Sequence, residues 1–193
     1  MDISKKEIHH LHFPMEKIHT DSGPTDEVQT AWTQAAKKVL SLLAEGKDVA
    51  FPTLGDPAIY STGYYLYETI LSLQADTEVS FVPGIAAMSS CSATTKTPIC
   101  LGDDKLAVIP ATFSAQDIRE TLKKFDTIVL MKVHKVLDEL TALFQELDLL
   151  DCAILVERAG MEDERIHREL TAIDTQVHYF STILVRKRIR TRQ

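Results

Sequence analysis

Residues Asp48–Thr62 read DVAFPTLGDPAIYST: a short apolar run, a tight turn at Gly55-Asp56-Pro57, and then the opening turn of a helix. An apolar run closed by glycine and followed by a helix start marks a buried strand handing over to a helix. In open α/β sheets, ligands gather at such junctions, outside the carboxyl ends of the strands. The same letters also serve helix initiation. Asp56 is a good N-cap, and Pro57 suits the first helical position, where its absent N–H breaks no bond. On this segment alone, capping and ligand contact are both open.

The rest of the chain repeats the strand-to-helix pattern. Thr25–Glu45 carries Val28, Ala31, Trp32, Ala35, Val39 and Leu42 on one helical face, with Asp26 and Glu27 in the first turn and Gly46 placed to end it. A second helix is expected from Ala58 to about Leu73, then a strand Val79–Val82 closed by Pro83-Gly84, then the small-residue run IAAMSSCSATT. Ile8–Phe13 alternates as an edge or connecting strand. After a polar break at 97–104, further strands are expected at Leu106–Pro110, Thr127–Met131, Cys152–Val156 and Tyr179–Val185. Helices at Ala115–Lys124 and Lys135–Leu147 fall between them. This order predicts an α/β protein with largely parallel strands, in two domains, 1–103 and 104–193.

Composition removes several classes. A net charge of -7 argues against nucleic-acid binding, and Arg186, Lys187, Arg188, Arg190 and Arg192 read as a solvated basic tail. Cys91, Cys100 and Cys152 have no paired spacing, so neither a disulfide framework nor a zinc site is expected. His9, His10, His12 and His19 crowd one region, as a metal-capturing cluster or as scattered surface residues. No apolar stretch approaches the ~18 residues of a membrane span, and the start MDISKKEIHH lacks a leader's apolar core, so no membrane partner and a cytoplasmic location are expected.

Four expected strand ends carry unusual residues: GDPAIYST, VPGIAA, MKV and ERAG. Strand ends of a parallel sheet face one crevice, which hints at one shared site. Each also has a plain structural account. Lys132 can be a solvated charge, and Arg158 can pair with Glu157 or Glu162.

LGDPAIYST followed by VPGIAA resembles the tetrapyrrole methylases, and FPM at Phe13–Met15, GDDKLAVIPA, VLMKV, LVERAGMEDERI and YFSTILV continue the resemblance along essentially the whole chain. It implies the two-domain fold of the class III S-adenosylmethionine-dependent methyltransferases, with the active site in the cleft between the domains. Members open with a strand and a glycine-proline loop ahead of the point where this sequence starts, so an incomplete N-terminal domain is expected. The implied reaction is methylation of carbon-20 of precorrin-2 or cobalt-factor II in corrin-ring assembly, by a homodimer. Action on a different ring carbon, an inactive fragment, and a non-catalytic oligomerising scaffold are the other readings.

By motif, the resemblance assigns Leu54, Gly55, Asp56, Ile59, Tyr60, Ala86, Ala87, Met131, Ala159 and Thr182 to S-adenosylmethionine. Lys132 and Arg158 are the candidates for the substrate's carboxylates, and Asp104, Asp103 or Tyr60 for a base that removes the carbon-20 proton. Small residues near a cofactor make physical sense, because larger side chains would occupy its volume.

Overall fold

Thr25 starts the first helix: its side chain accepts the Val28 N–H at 3.4 Å. In the computed structural model, which describes residues 6–14 and 23–187, this helix, α1, spans Asp26–Ala44. It buries Val28, Trp32, Ala35, Ala36 and Leu42, the face expected from the spacing. Helix α2, Gly63–Leu73, packs Leu66 and Ile70 against Ala35 and Ala36. Trp32 stacks on Tyr65 with ring centroids 4.5 Å apart. Small alanines opposite large aliphatics let the two helices approach closely.

Helix α2 begins later than the expected Ala58. Tyr60 sits at φ 52°, a left-handed conformation that no α-helix accommodates, and the Ser61 hydroxyl accepts the Gly63 N–H at 3.1 Å. Residues 58–62 therefore form turns. The expected strands at 48–54, Val79–Val82 and Ile8–Phe13 are not strands either. The alternation is present: Val49 and Phe51, like Val79 and Phe81, fall two apart, and all four stay exposed. A strand exists only where a neighbouring backbone pairs with it, and among the described residues these segments have no ladder partner. Phe81 is held instead by rings, stacked on Tyr64 at 4.3 Å and edge-on to Tyr67 at 5.2 Å.

These elements belong to one compact unit, Met1–Gly84, and the rest of the chain forms a second, Ile85–Gln193. The expected boundary at 103–104 lies inside the second unit. There, α3 (Ala87–Thr95), β1 (Leu106–Pro110), α4 (Ala115–Lys124), β2 (Thr127–Met131), α5 (Leu137–Glu146), β3 (Ala153–Glu157), β4 (Arg165–His167) and β5 (Ser181–Arg186) follow in order. The sheet order is β1-β2-β5-β3-β4. Only β1 and β2 pair in parallel; β5 runs antiparallel to both β2 and β3, and β4 antiparallel to β3. The expectation of largely parallel strands is corrected here, because β5 runs back down the sheet and separates β2 from β3.

Strand alternation sorts the core onto two faces. Ile128, Leu130, Leu155, Ile183 and Val185 join Ile118, Leu122, Leu140 and Phe144 from α4 and α5 in the larger cluster. On the other face, Ile154 and Val156 pack with Cys91 of α3 and with Ala159. Arg186, buried at the end of β5, ties the 98–104 segment to this sheet. Its guanidinium donates to Pro98 O and Ile99 O at 3.0 Å, to Thr127 Oγ1 at 3.1 Å and to Asp104 Oδ2 at 2.5 Å. The basic residues Arg188, Arg190 and Arg192 lie outside the described residues, as do Met15 and His19; Arg186 itself is not a solvated charge.

Amide exchange follows this division. Backbone N–H groups of β2, β3 and β5 are expected to exchange slowly by mass spectrometry, whereas 49–53 and 77–82, which lack ladder partners, exchange within seconds to minutes.

Candidate functional site

In the first unit, the turn after Leu54 is built by glycine and a carboxylate. Gly55 takes φ 86°, which L side chains rarely adopt. Asp56 Oδ1 accepts the Ala58 N–H at 2.8 Å and Oδ2 accepts the Gly84 N–H at 2.9 Å. One side chain thus closes its own turn and binds the Pro83-Gly84 turn, 28 residues on. The approach is so close that a Cβ on Gly84 would lie 2.1 Å from the Gly55 carbonyl oxygen. Leu54 stands 66% exposed beside this turn, and Ile59 is half-buried. Tyr60 is half exposed, and partial desolvation pushes its phenol up from its ordinary value.

In the second unit, Ala86 is the N-cap of α3, and its carbonyl accepts the Ser89 and Ser90 N–H groups at 2.9 and 3.1 Å. Ala87 opens the helix. Met131, the last residue of β2, lies directly opposite Thr182 of β5. Thr182 is buried and hydrogen-bonded to the Cys91 thiol, so this pair lies on the face covered by α3. Burial pushes the Cys91 thiol up to about 11, against that hydrogen bond, which leaves it a small apolar filler rather than a nucleophile. With Ala159 packed beside Cys91, the structure brings Met131, Ala159 and Thr182 to one end of one sheet face.

Two cations mark the same end. Lys132 and Arg158 are the first residues after β2 and β3, and both take left-handed φ values, 62° and 54°. Such conformations are strained for long side chains and survive where the surroundings enforce them. Arg158 donates its N–H to Phe180 O at 2.7 Å and pairs through Nε with Asp163 at 2.6 Å, not with the expected Glu157 or Glu162.

Asp104 is placed elsewhere. It accepts from Arg186 and from the Leu101 N–H at 2.9 Å. Arg186 faces Thr127, four residue steps or roughly 13 Å along the strands from the Met131–Thr182 pair. Asp104 braces the opposite end of the sheet, and Asp103 is exposed on the same loop. His9 pairs with Glu7 at 3.1 Å, and among the described residues no group of three His, Cys, Asp or Glu side chains is placed to hold a metal ion.

Sequence reasoning missed the buried carboxylate at the site end of the sheet. Glu157, 1% exposed, accepts from His167 Nε2 at 2.9 Å, Arg165 at 3.0 Å and the His178 N–H at 2.5 Å. Burial alone would raise its pKa; the His178 N–H, His167 and Arg165 together hold it below the ordinary carboxylate range. The ERAG motif marked the position, but nothing local told that its partners lie at 165–178.

Two outcomes follow. Gly84→Ala forces the Gly55 turn apart and is expected to cost about 1–3 kcal/mol, read as a lower urea midpoint. Because the Glu157 pKa is depressed on folding, its stabilisation is present above the unfolded value and is lost as pH falls through and below the ordinary carboxylate range. Urea titrations from pH 7 to 3 should therefore show a steeper loss for the wild type than for Glu157→Gln.

Comparison with known proteins gives these groups a context. The family model of tetrapyrrole (corrin/porphyrin) methylases matches residues 2–173. A cobalt-precorrin-2 C(20)-methyltransferase of Salmonella typhimurium is 32% identical over 183 residues, 94% of this chain and 73% of that protein. A precorrin-2 C(20)-methyltransferase of a Sinorhizobium species is 30% identical over 177 residues, 91% and 71% of the two chains. Among solved structures, the uroporphyrin-III C-methyltransferase of Thermus thermophilus with S-adenosylhomocysteine superposes with a TM-score of 0.56 at 16% identity, covering 84% of this chain and 73% of that one. At that identity the match concerns the fold. The Glu157 network, the capped Gly55 turn and the Met131–Thr182 pair thus sit in a chain that belongs to the tetrapyrrole methylase family.

Proposed function

We propose that this chain is an S-adenosylmethionine-dependent methyltransferase that methylates carbon-20 of precorrin-2 or cobalt-factor II. The observation that carries the reading is the 32% identity to the Salmonella cobalt-precorrin-2 enzyme along 94% of the chain. The residues present suit the cofactor. Small side chains at Ala86, Ala87 and Ala159 leave volume at strand ends and at the start of α3, and the Gly55–Asp56 turn presents backbone beside exposed Leu54.

The bound cofactor supplies an electrophilic sulfonium methyl group. The protein's part is then to bind, to orient and to exclude water, since carbon-20 of the reduced tetrapyrrole is already nucleophilic. On the family resemblance, Leu54, Gly55, Asp56, Ile59, Tyr60, Ala86, Ala87, Met131, Ala159 and Thr182 are the cofactor residues. Lys132 and Arg158 meet substrate carboxylates, with Arg158 exchanging its Asp163 partner for them. A base takes the carbon-20 proton as the methyl group is transferred; Tyr60 is the candidate beside the Gly55 turn, whereas Asp104 is paired with Arg186. On the family resemblance, the enzyme works as a homodimer.

The test combines binding and product. Isothermal titration with S-adenosylhomocysteine should give micromolar affinity, within the usual KM range of enzymes. Incubation with either tetrapyrrole and 13C-methyl cofactor should place the label at carbon-20 by NMR. Label on another ring carbon would move the protein to a different member activity; neither heat nor transfer at millimolar ligand would sink the reading.

A further inference from the structure

We infer that Glu157 is a positioning residue for cofactor binding, acting through the 178–180 bend and Thr182 rather than by touching the ligand. The inference rests on the S-adenosylmethionine reading above. Glu157 ends β3 on the face of Leu155 and Ala153, and so points into the core beneath α4 and α5, away from the face on which Met131 and Thr182 lie. A carboxylate there needs a reason, since burying an unneeded charge is costly.

Its three partners supply one. Arg165 and His167, two apart on β4, reach the carboxylate from the edge of the sheet. The His178 N–H reaches it from the segment that enters β5. From there the contacts run on. The Phe180 N–H donates to His178 Nδ1 at 3.0 Å, and Phe180 O accepts the Arg158 N–H at 2.7 Å. Ser181 then faces Glu157 itself, and Thr182 faces Met131. The bend is thereby closed from both sides by Glu157 and the residue after it. Tyr179 and Phe180 are exposed and meet edge to face at 5.4 Å rather than filling the core. Buried Val177 and the edge contact of Tyr179 with His134 at 5.1 Å flank the bend, and hydrogen bonds to Glu157 and Arg158 fix its backbone. Two assigned cofactor residues, Ala159 and Thr182, are each two residues from an anchor point, Glu157 and Phe180 respectively.

The variant to use is Glu157→Gln, which keeps the shape and removes one acceptor oxygen, with Thr182→Val and the double variant beside it. In the full chain, S-adenosylhomocysteine affinity is expected to fall about tenfold in Glu157→Gln, the size of one lost charge-assisted hydrogen bond. If Glu157 acts through Thr182, the double variant loses little more than either single one. KM for the cofactor should rise while kcat stays near wild type, a split that general destabilisation would not give. Without ligand, the amides of 178–182 should exchange faster in Glu157→Gln while those of β1 and β2 are unchanged. Arg165→Gln, on the exposed edge strand, keeps the carboxylate and should give a smaller loosening in the same direction.

Wild-type affinity in Glu157→Gln, unchanged exchange at 178–182, or fully additive losses in the double variant would each overturn the positioning role. Absence of binding by the wild type would instead remove the cofactor reading, and this inference with it.

Discussion

Strand β5 is the element on which the second unit closes. Every residue from Ser181 to Arg186 is buried, and the strand pairs along its length with both β2 and β3. Neither neighbour pairs with the other, so removing β5 would leave two apolar strands with open edges. Both parallel crossovers, through α4 and α5, precede it in the chain. The sheet is therefore completed by a long-range pairing, which makes closure dependent on contacts far apart in sequence. The two ends of β5 carry different work. Arg186 knots the 98–104 segment and Asp104 to the sheet, while Thr182 stands beside Met131 at the other end.

The first unit is held together differently. Its two helices share a small alanine-to-aliphatic contact, Ala35 and Ala36 against Leu66 and Ile70. Its turns are fixed by polar geometry rather than by a sheet. A single carboxylate, Asp56, spans two turns, and ring-on-ring contacts steady Phe81. Such an arrangement fixes backbone positions locally, but it buries little apolar surface in the extended runs at 49–53 and 79–82, where Val49, Phe51, Val79 and Phe81 stay in contact with water.

Much of this was legible in the sequence. Leu106–Pro110, Ala115–Lys124 and Thr127–Met131 have the bounds their apolar periods predict, and the buried face of α1 follows its three-and-four spacing. The apolar runs at 48–54 and 79–82 have the composition of strands, but pairing depends on a partner that local letters do not carry. The direction of β5 was hidden for the same reason: an apolar run reads alike in both senses. Site residues divided likewise. The Gly55-Asp56 turn and the Met131 and Thr182 strand ends were visible because motifs mark them. The pairing of Asp104 was hidden because its partner, Arg186, lies 82 residues away, and Glu157 was missed because its partners are assembled by the β4 pairing and the bend before β5.

The Asp56 strap also links two stretches of sequence in a way that alignment of either alone would not explain. With the Gly84 amide bound to Asp56 and no room for a methyl group between Gly84 and the Gly55 carbonyl, the GDP and PG turns are two halves of one mechanical part. A change in the first turn's backbone has to be met in the second, and the reverse. Relatives that alter one of them are therefore expected to alter the other, so that the two turns drift as a correlated pair while the runs leading into them vary freely.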